Sequence, residues 1–400
     1  MARTLPTISA SPLPTLGWFV ALALASACSD DGASAASEGD SSGGATTGTN
    51  GGGTQGDGTT SAATTTGGSA GDDGSSGAVD DTGADSSGTD TGAPMGVACL
   101  DEQFVNGGSP AGNYSGFDVT IGSHCQGTNQ QDITEIERVV FLGDSVTVGT
   151  PPAGTGDYYR NILAASLATQ FGLEPPEAQW EQVDVGNGTS ILQESGAFAS
   201  CAVWGARNDD LASQLESCFA TEDYPARTLV VFTMGGNDGA AIAKDYLDGL
   251  PLNEVLAGLD AMVADHEAAV QWLVGDEGKF PNGVFVVNAN VYEFTDVTFD
   301  FLSCPTAALA GFDSNPDMPD ILRGSLQHIN EEYMRIAEEN GTDVVFMSEG
   351  FCGHGFHAND PEGPCYRGPD NATWFDLTCI HPTPAGHAAL AEMFTNVIAE

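Results

Sequence analysis

The chain has 400 residues and carries 56 acidic against 10 basic side chains, a formal net charge of −46. A field of that sign repels phosphate backbones and anionic lipid surfaces, so no nucleic-acid partner is expected and any membrane attachment should come from a covalent lipid. The acidity is general, because the most acidic-looking low-complexity stretch supplies only eleven of those acids.

Residues 1–27 read as a bacterial export signal. Arg3 precedes the apolar run Leu16 to Ala27, which is too short to span a bilayer, and small residues lead to Cys28. Two cleavage readings are open: Ala25-Ser26-Ala27 suits an ordinary signal peptidase, and Leu24 to Cys28 loosely resembles a lipobox, with Ala25 where Leu is usual. The chain has nine cysteines, so lipidation of Cys28 leaves an even set: Cys99, Cys125, Cys201, Cys218, Cys304, Cys352, Cys365 and Cys379. Even numbers suit an oxidising compartment. The expectation is an exported lipoprotein of the cell envelope, at the outer membrane or cell surface and anchored through Cys28.

Residues 28–95 form an acidic Gly/Ser/Thr-rich tether. From Ser29 to Pro94 there is no Phe, Leu, Ile, Trp or Tyr, so the stretch cannot bury enough apolar surface to offset chain entropy and is expected to be disordered. Residues 96–137 follow as an irregular extension, in which a Cys99–Cys125 bridge would fasten the segment to itself. Residues 138–400 are long enough for one well-cored domain.

Within that domain, strands are predicted at Val139–Leu142, Gln182–Val185, Leu229–Thr233, Val284–Asn288 and Val344–Met347. Four of the five are near-continuous apolar runs, as for strands buried on both faces. Helices are predicted at Tyr158–Phe171, Leu252–Leu273, Ile321–Asn340 and Pro384–Ile398 from apolar residues at three- and four-residue spacing. Pro384 suits a first helical turn. The alternation implies an α/β fold, a three-layer α/β/α sandwich on a five-stranded parallel sheet.

Chemistry-bearing residues fall at the carboxyl ends of those strands, where open α/β sheets bind ligands. The first strand runs into Gly143-Asp144-Ser145-Val146, a weak match alone that its position strengthens. After the third comes Gly235-Gly236-Asn237-Asp238, whose bland reading is a turn. Near the C-terminus, His381-Pro382-Thr383-Pro384-Ala385-Gly386-His387 is a loop opening into the last helix. Taken together and in this order, these elements resemble the SGNH (GDSL-like) hydrolases over about 260 residues. A fourth element, running from Cys201 through Trp204-Gly205-Ala206 to Leu211, is similar to that family's second block.

The resemblance implies a flavodoxin-like fold and a cofactor-free serine esterase acting on small acyl esters, acetylated carbohydrate or lipid. In it Ser145 is the nucleophile, His381 the base, and Ser145, Gly205 and Asn237 the oxyanion donors, with Gly188 as runner-up for Gly205. The family places an Asp three residues before the His, and here that position is Thr378. Either a bulged loop brings Asp376 to the imidazole, which is the favoured reading, or a backbone carbonyl orients the ring. An acyltransferase with the same nucleophile and a silent glycan-binding surface module are the alternatives. A monomer is expected.

The run Cys352-Gly-His354-Gly-Phe-His357 has zinc-like spacing. In an exported chain Cys352 is better paired with Cys365, so no metal is expected. Cys201 with Cys218 and Cys304 with Cys379 would complete the set, although spacing does not establish the connectivity.

Overall fold

A computed structural model of the protein describes residues 98–107, 112–221, 223–275 and 278–400. The export signal, Cys28 and the tether lie outside the described residues. The strands in chain order are β1 (Arg138–Gly143), β2 (Val183–Asp184), β3 (Thr189–Ser190), β4 (Glu194–Ser195), β5 (Phe198–Ser200), β6 (Thr228–Thr233), β7 (Val284–Ala289) and β8 (Asp343–Val345). Helices relevant to the site are α1 (Ser145–Val148), α2 (Tyr159–Phe171), α3 (Leu211–Cys218), α4 (Gly236–Leu247), α5 (Leu252–Val274), α6 (Pro319–Asn340), α7 (Met347–Phe351) and α8 (Pro384–Ala399).

The central sheet has the order β4-β5-β1-β6-β7-β8. Five of these strands, β5-β1-β6-β7-β8, are mutually parallel, which is the flavodoxin-like order. β4 adds an antiparallel edge to β5. Val139 to Leu142 in β1 and all of β6 are buried. Unbroken β-branched and aromatic runs are tolerated because helices cover both faces. Crossovers in parallel sheets are right-handed, so α2, which leads from β1 to β5, lies on one face, while α3 to α6, which serve strands added in the opposite direction, lie on the other. The packing agrees: α8 packs on α2, while α3, α4 and α6 each pack on α5.

Two strand expectations change. Gln182–Val185 is not in the sheet: Val183 and Asp184 pair with β3 in a separate two-stranded ribbon, and Val185 is largely exposed. The second parallel strand is β5, whose Phe198, Ala199 and Ser200 pair with Val139, Val140 and Phe141. Three residues with no β-branched side chain leave little pattern to read, and tertiary burial decides the outcome. At β8 the strand stops at Val345, and Met347 opens α7. The four predicted helices form. α2 and α6 end at Gly172 and Gly341, both in the left-handed conformation that lets a C-cap turn away. At the start of α8, the Thr383 side chain accepts from the Gly386 N–H, with Pro384 just inside.

The extension closes the free edge of the sheet. Thr128 donates its backbone N–H to the Val344 carbonyl, and Phe346 donates to the Gln126 carbonyl. The Asp343 carboxylate accepts from the Thr128 hydroxyl and the Gln130 N–H. Pairing of this kind satisfies an edge that would otherwise invite a second chain. Disulfides join Cys99 to Cys125, Cys201 to Cys218, Cys304 to Cys379 and Cys352 to Cys365. Four bridges fit an oxidising compartment outside the cytoplasm. No helix among the described residues is long and apolar enough to cross a membrane.

Candidate functional site

β1 ends at Gly143, where φ is +129° and a Cβ would collide with the Thr233 carbonyl oxygen. Only glycine turns the chain so sharply here. Its peptide is clamped by the Gln214 amide from α3, which accepts from the Gly143 N–H at 2.7 Å and donates to its carbonyl at 2.9 Å. Asp144 then caps α1 by accepting from the Val146 N–H at 2.9 Å, and Ser145 opens the helix. The Ser145 side chain stands at the carboxyl edge of the sheet with Oγ 2.9 Å from His381 Nε2.

His381 sits on the loop before α8. That loop is closed by an isolated bridge between Phe375 and Pro382, by the Asp376 N–H donating to the His381 carbonyl at 2.9 Å, and by the Cys304–Cys379 disulfide. Tyr292 donates its hydroxyl to the Ile380 carbonyl at 2.7 Å. Burial holds the imidazole down to about 4, so at neutral pH it is uncharged and able to take a proton.

Asp376 does not touch the imidazole, and neither does a backbone carbonyl. The partner of His381 Nδ1 is the Thr378 hydroxyl at 2.8 Å, and that hydroxyl is 2.5 Å from Asp376 Oδ1. The same Oδ1 accepts from the Thr378 N–H at 2.7 Å, a turn that an Asp favours two residues ahead of the amide it caps. Burial pushes the Asp376 carboxyl up to about 6 against the lowering by the two Thr378 hydrogen bonds.

Gly205 and Asn237 lie side by side. Asn237 is in the first turn of α4, whose N-cap Gly235 has φ +111°, so this motif is a helix start and not an isolated turn. The Asn237 amide donates to the Ala206 carbonyl at 2.9 Å, next to Gly205 at φ +76°. Two residues earlier, the Val203 N–H donates to the Gly143 carbonyl, which brings the Gly205 segment up to the end of β1. Gly188 lies behind it: its carbonyl accepts from Trp204, and a Cβ there would meet Trp204 Cβ at 2.7 Å.

Several supporting residues escape motif reading. Asp238, beside Asn237, accepts from the backbone N–H and side-chain amide of Asn208, and Asn208 also contacts Tyr333 Oη and His266 Nδ1. This buried network ties the Gly205 segment to α4. Burial raises Asp238 to about 6 and lowers His266 to about 3. Asn208 and Asp238 belong to the two motif blocks, which was their only signal; Tyr333 and His266 lie mid-helix and look like core.

Ser145 and His381 line a cavity of about 120 Å³ whose other walls are mainly apolar side chains, among them Ile242, Phe294, Phe299, Phe301, Phe312 and Leu326. Its wall includes a constrained loop, in which Asp296, Val297 and Phe299 all have positive φ. The Glu293 carboxylate holds that loop by accepting from the Thr295 hydroxyl at 2.6 Å and from the Thr295 and Val297 N–H groups. A β-branched residue in that conformation persists only where its surroundings impose it. Of the zinc-like run, Cys352 is bridged to Cys365, the His354 ring stacks on Trp374, and His357 Nε2 is 3.2 Å from Asp300 Oδ2. No cluster among the described residues could hold a metal ion.

The fold is similar to that of phospholipase A1 from Streptomyces albidoflavus, at 17% identity over 65% of this chain and 98% of that one, with a TM-score of 0.39. It is similar to an extracellular lipase from Streptomyces rimosus, at 16% identity over 64% and 98%, with a TM-score of 0.38. A carbohydrate acetylesterase from Sinorhizobium meliloti matches at 13% identity over 66% and 99%, with a TM-score of 0.37. No curated protein matches the sequence. The model of the GDSL-like Lipase/Acylhydrolase family matches residues 141–389, a span that contains Ser145, Gly205, Asn237 and His381, and the chain belongs to that family of hydrolases.

Proposed function

We propose that the protein is a serine esterase that cleaves carboxylic esters through an acyl-enzyme on Ser145 and seats the acyl chain in the apolar cavity. The observation that carries this reading is the 2.9 Å approach of Ser145 Oγ to His381 Nε2 in the wall of that cavity. A serine hydroxyl attacks a carbonyl only when a base removes its proton. Ser145 Oγ forms the bond to the carbonyl carbon as its proton passes to Nε2. The resulting imidazolium returns the proton to the leaving alcohol oxygen as the ester bond breaks. Water then attacks the acyl-enzyme, its proton moves through Nε2 to Ser145 Oγ, and the acid departs. Negative charge on the carbonyl oxygen is held by the Ser145 and Gly205 N–H groups and the Asn237 amide, each such donor contributing roughly 3 kcal/mol to lowering the barrier.

The cavity argues for more than an acetyl group. One buried water needs roughly 10–15 Å³, so about 120 Å³ gives room for a chain of several carbons. Burying each methylene there adds about 0.8 kcal/mol. A panel of nitrophenyl esters from acetyl to palmitoyl, run on the wild type and Ser145→Ala, tests both parts. The expected result is a kcat/KM that rises from acetyl to a chain between butyryl and octanoyl, and a loss of at least about 1,000-fold in Ser145→Ala. A preference for acetyl overturns the acyl assignment; activity that survives Ser145→Ala overturns the nucleophile.

A further inference from the structure

We propose that Thr378 is a positioning residue whose hydroxyl carries the influence of the Asp376 carboxylate to His381, in a relay Asp376–Thr378–His381–Ser145. The inference rests on the esterase reading and adds a fourth member to its machinery. Proton accounting leaves one arrangement. A threonine hydroxyl has one hydrogen and two lone pairs, and an ionised carboxylate only accepts. The 2.5 Å separation of Thr378 Oγ1 from Asp376 Oδ1 matches an O–H···O⁻ bond, so the hydroxyl hydrogen points at Asp376. The lone pairs of Oγ1 therefore face His381, accepting from Nδ1–H at 2.8 Å and from the His381 backbone N–H at 3.2 Å. With its hydrogen on Nδ1, the ring presents a bare Nε2 to the Ser145 hydroxyl. Every hydrogen in the chain then points the same way, from Ser145 towards Asp376.

The surroundings are built for that arrangement. Asp376 Oδ2 is buried with no hydrogen-bond partner among the described residues, so the side-chain hydrogen bonding of the carboxylate is directed through Oδ1 to Thr378. The Thr378 hydroxyl is fixed by the turn that Asp376 closes and by Cys379, held at φ +70° and bridged to Cys304. No proton leaves Thr378 during turnover. When the imidazolium forms, Nδ1–H strengthens its bond to Oγ1 and the polarised hydroxyl leans on the carboxylate, so charge is stabilised without a proton reaching Asp376.

A purely structural threonine would affect melting temperature and leave turnover alone, so kcat, KM and thermal stability are read together on the full chain with a nitrophenyl ester. Thr378→Val is expected to lower kcat about 100-fold with KM within about 3-fold, and Thr378→Ser to restore kcat to within about 3-fold of the wild type. Asp376→Asn is expected to lower kcat about 10- to 100-fold, and the double variant Thr378→Val/Asp376→Asn to be no slower than Thr378→Val alone, as for residues acting in series. Should Thr378→Val not fold, Thr378→Ala takes its place with the same expected loss. An active wild type whose Thr378→Val and Thr378→Ala variants keep full kcat overturns the relay alone, as does a loss that serine fails to restore or effects that multiply in the double variant. A wild type that hydrolyses no ester overturns the esterase reading, and the relay falls with it.

Discussion

Asp144 sits between the sharp Gly143 turn and Ser145, and burial raises its carboxyl to about 7 from an ordinary 3.8. Between those values the folded chain holds a proton that the unfolded chain has released, so the Asp144 contribution to stability is greatest at low pH and declines as pH rises through that window. Asparagine keeps an oxygen for the Val146 N–H and removes the charge. Relative to the wild type, Asp144→Asn should therefore gain roughly 4 kcal/mol of unfolding free energy between pH 4 and pH 8; denaturant melts at both ends check this, and parallel profiles count against it. Residues on backbone motifs, such as Ser145, Asn237 and His381, were legible in the sequence because glycines and prolines around them fix local geometry. The partner of His381 Nδ1 was not. Spacing placed Thr378 at the family's Asp position and Asp376 two residues away, but which oxygen faces a ring nitrogen depends on a side-chain rotamer and a turn closed through Oδ1.

Among the elements, the loop bearing His381 is held both by its own hydrogen bonds and by a disulfide to the segment before α6. Cys304 and Cys379 are 75 residues apart, and closing a loop of that length in the unfolded chain stabilises the fold by about 4 kcal/mol in the chain-entropy model. Phe301 and Phe312 from the same segment line the cavity, so the bridge joins the His381 loop to the cavity wall. Cys304→Ser/Cys379→Ser should lower the melting temperature and also lower kcat/KM about 10-fold at temperatures where the variant is fully folded; a melting shift with unchanged kcat/KM would restrict the bridge to stability. Long amphipathic helices and doubly buried strands could be read from the chain, since their periodicity is dictated by burial on one or both faces. β5 could not. It is a three-residue strand specified by its place beside β1, while Gln182–Val185 has the better local pattern but pairs only with Thr189–Ser190. α4 was hidden for a related reason: its glycine-rich start reads as a turn, and its first residues become helical because β6 delivers them to the edge of the sheet.

For the whole molecule, the acidic charge, the four disulfides and the GDSL-like fold occur in one hydrolase chain, and the charge and the cysteines behind the bridges were visible in composition before any contact was known. The sheet order sets Ser145 after β1, Gly205 after β5, Asn237 after β6 and His381 beyond β8, so four segments distant in sequence meet at one edge. What composition and motif order leave open is the acyl group, because the cavity is made by side chains from loops and α4 and α6 whose packing no short motif records. Activation of Ser145 by His381 is tested by covalent capture with an alkyl fluorophosphonate, followed by peptide mass spectrometry and assay of ester hydrolysis. The expected result is a single adduct on Ser145, loss of hydrolysis in proportion to labelling, and no adduct in Ser145→Ala. A protein that hydrolyses esters while Ser145 stays unlabelled, or that keeps its activity once Ser145 is fully labelled, would rule out Ser145 as the nucleophile.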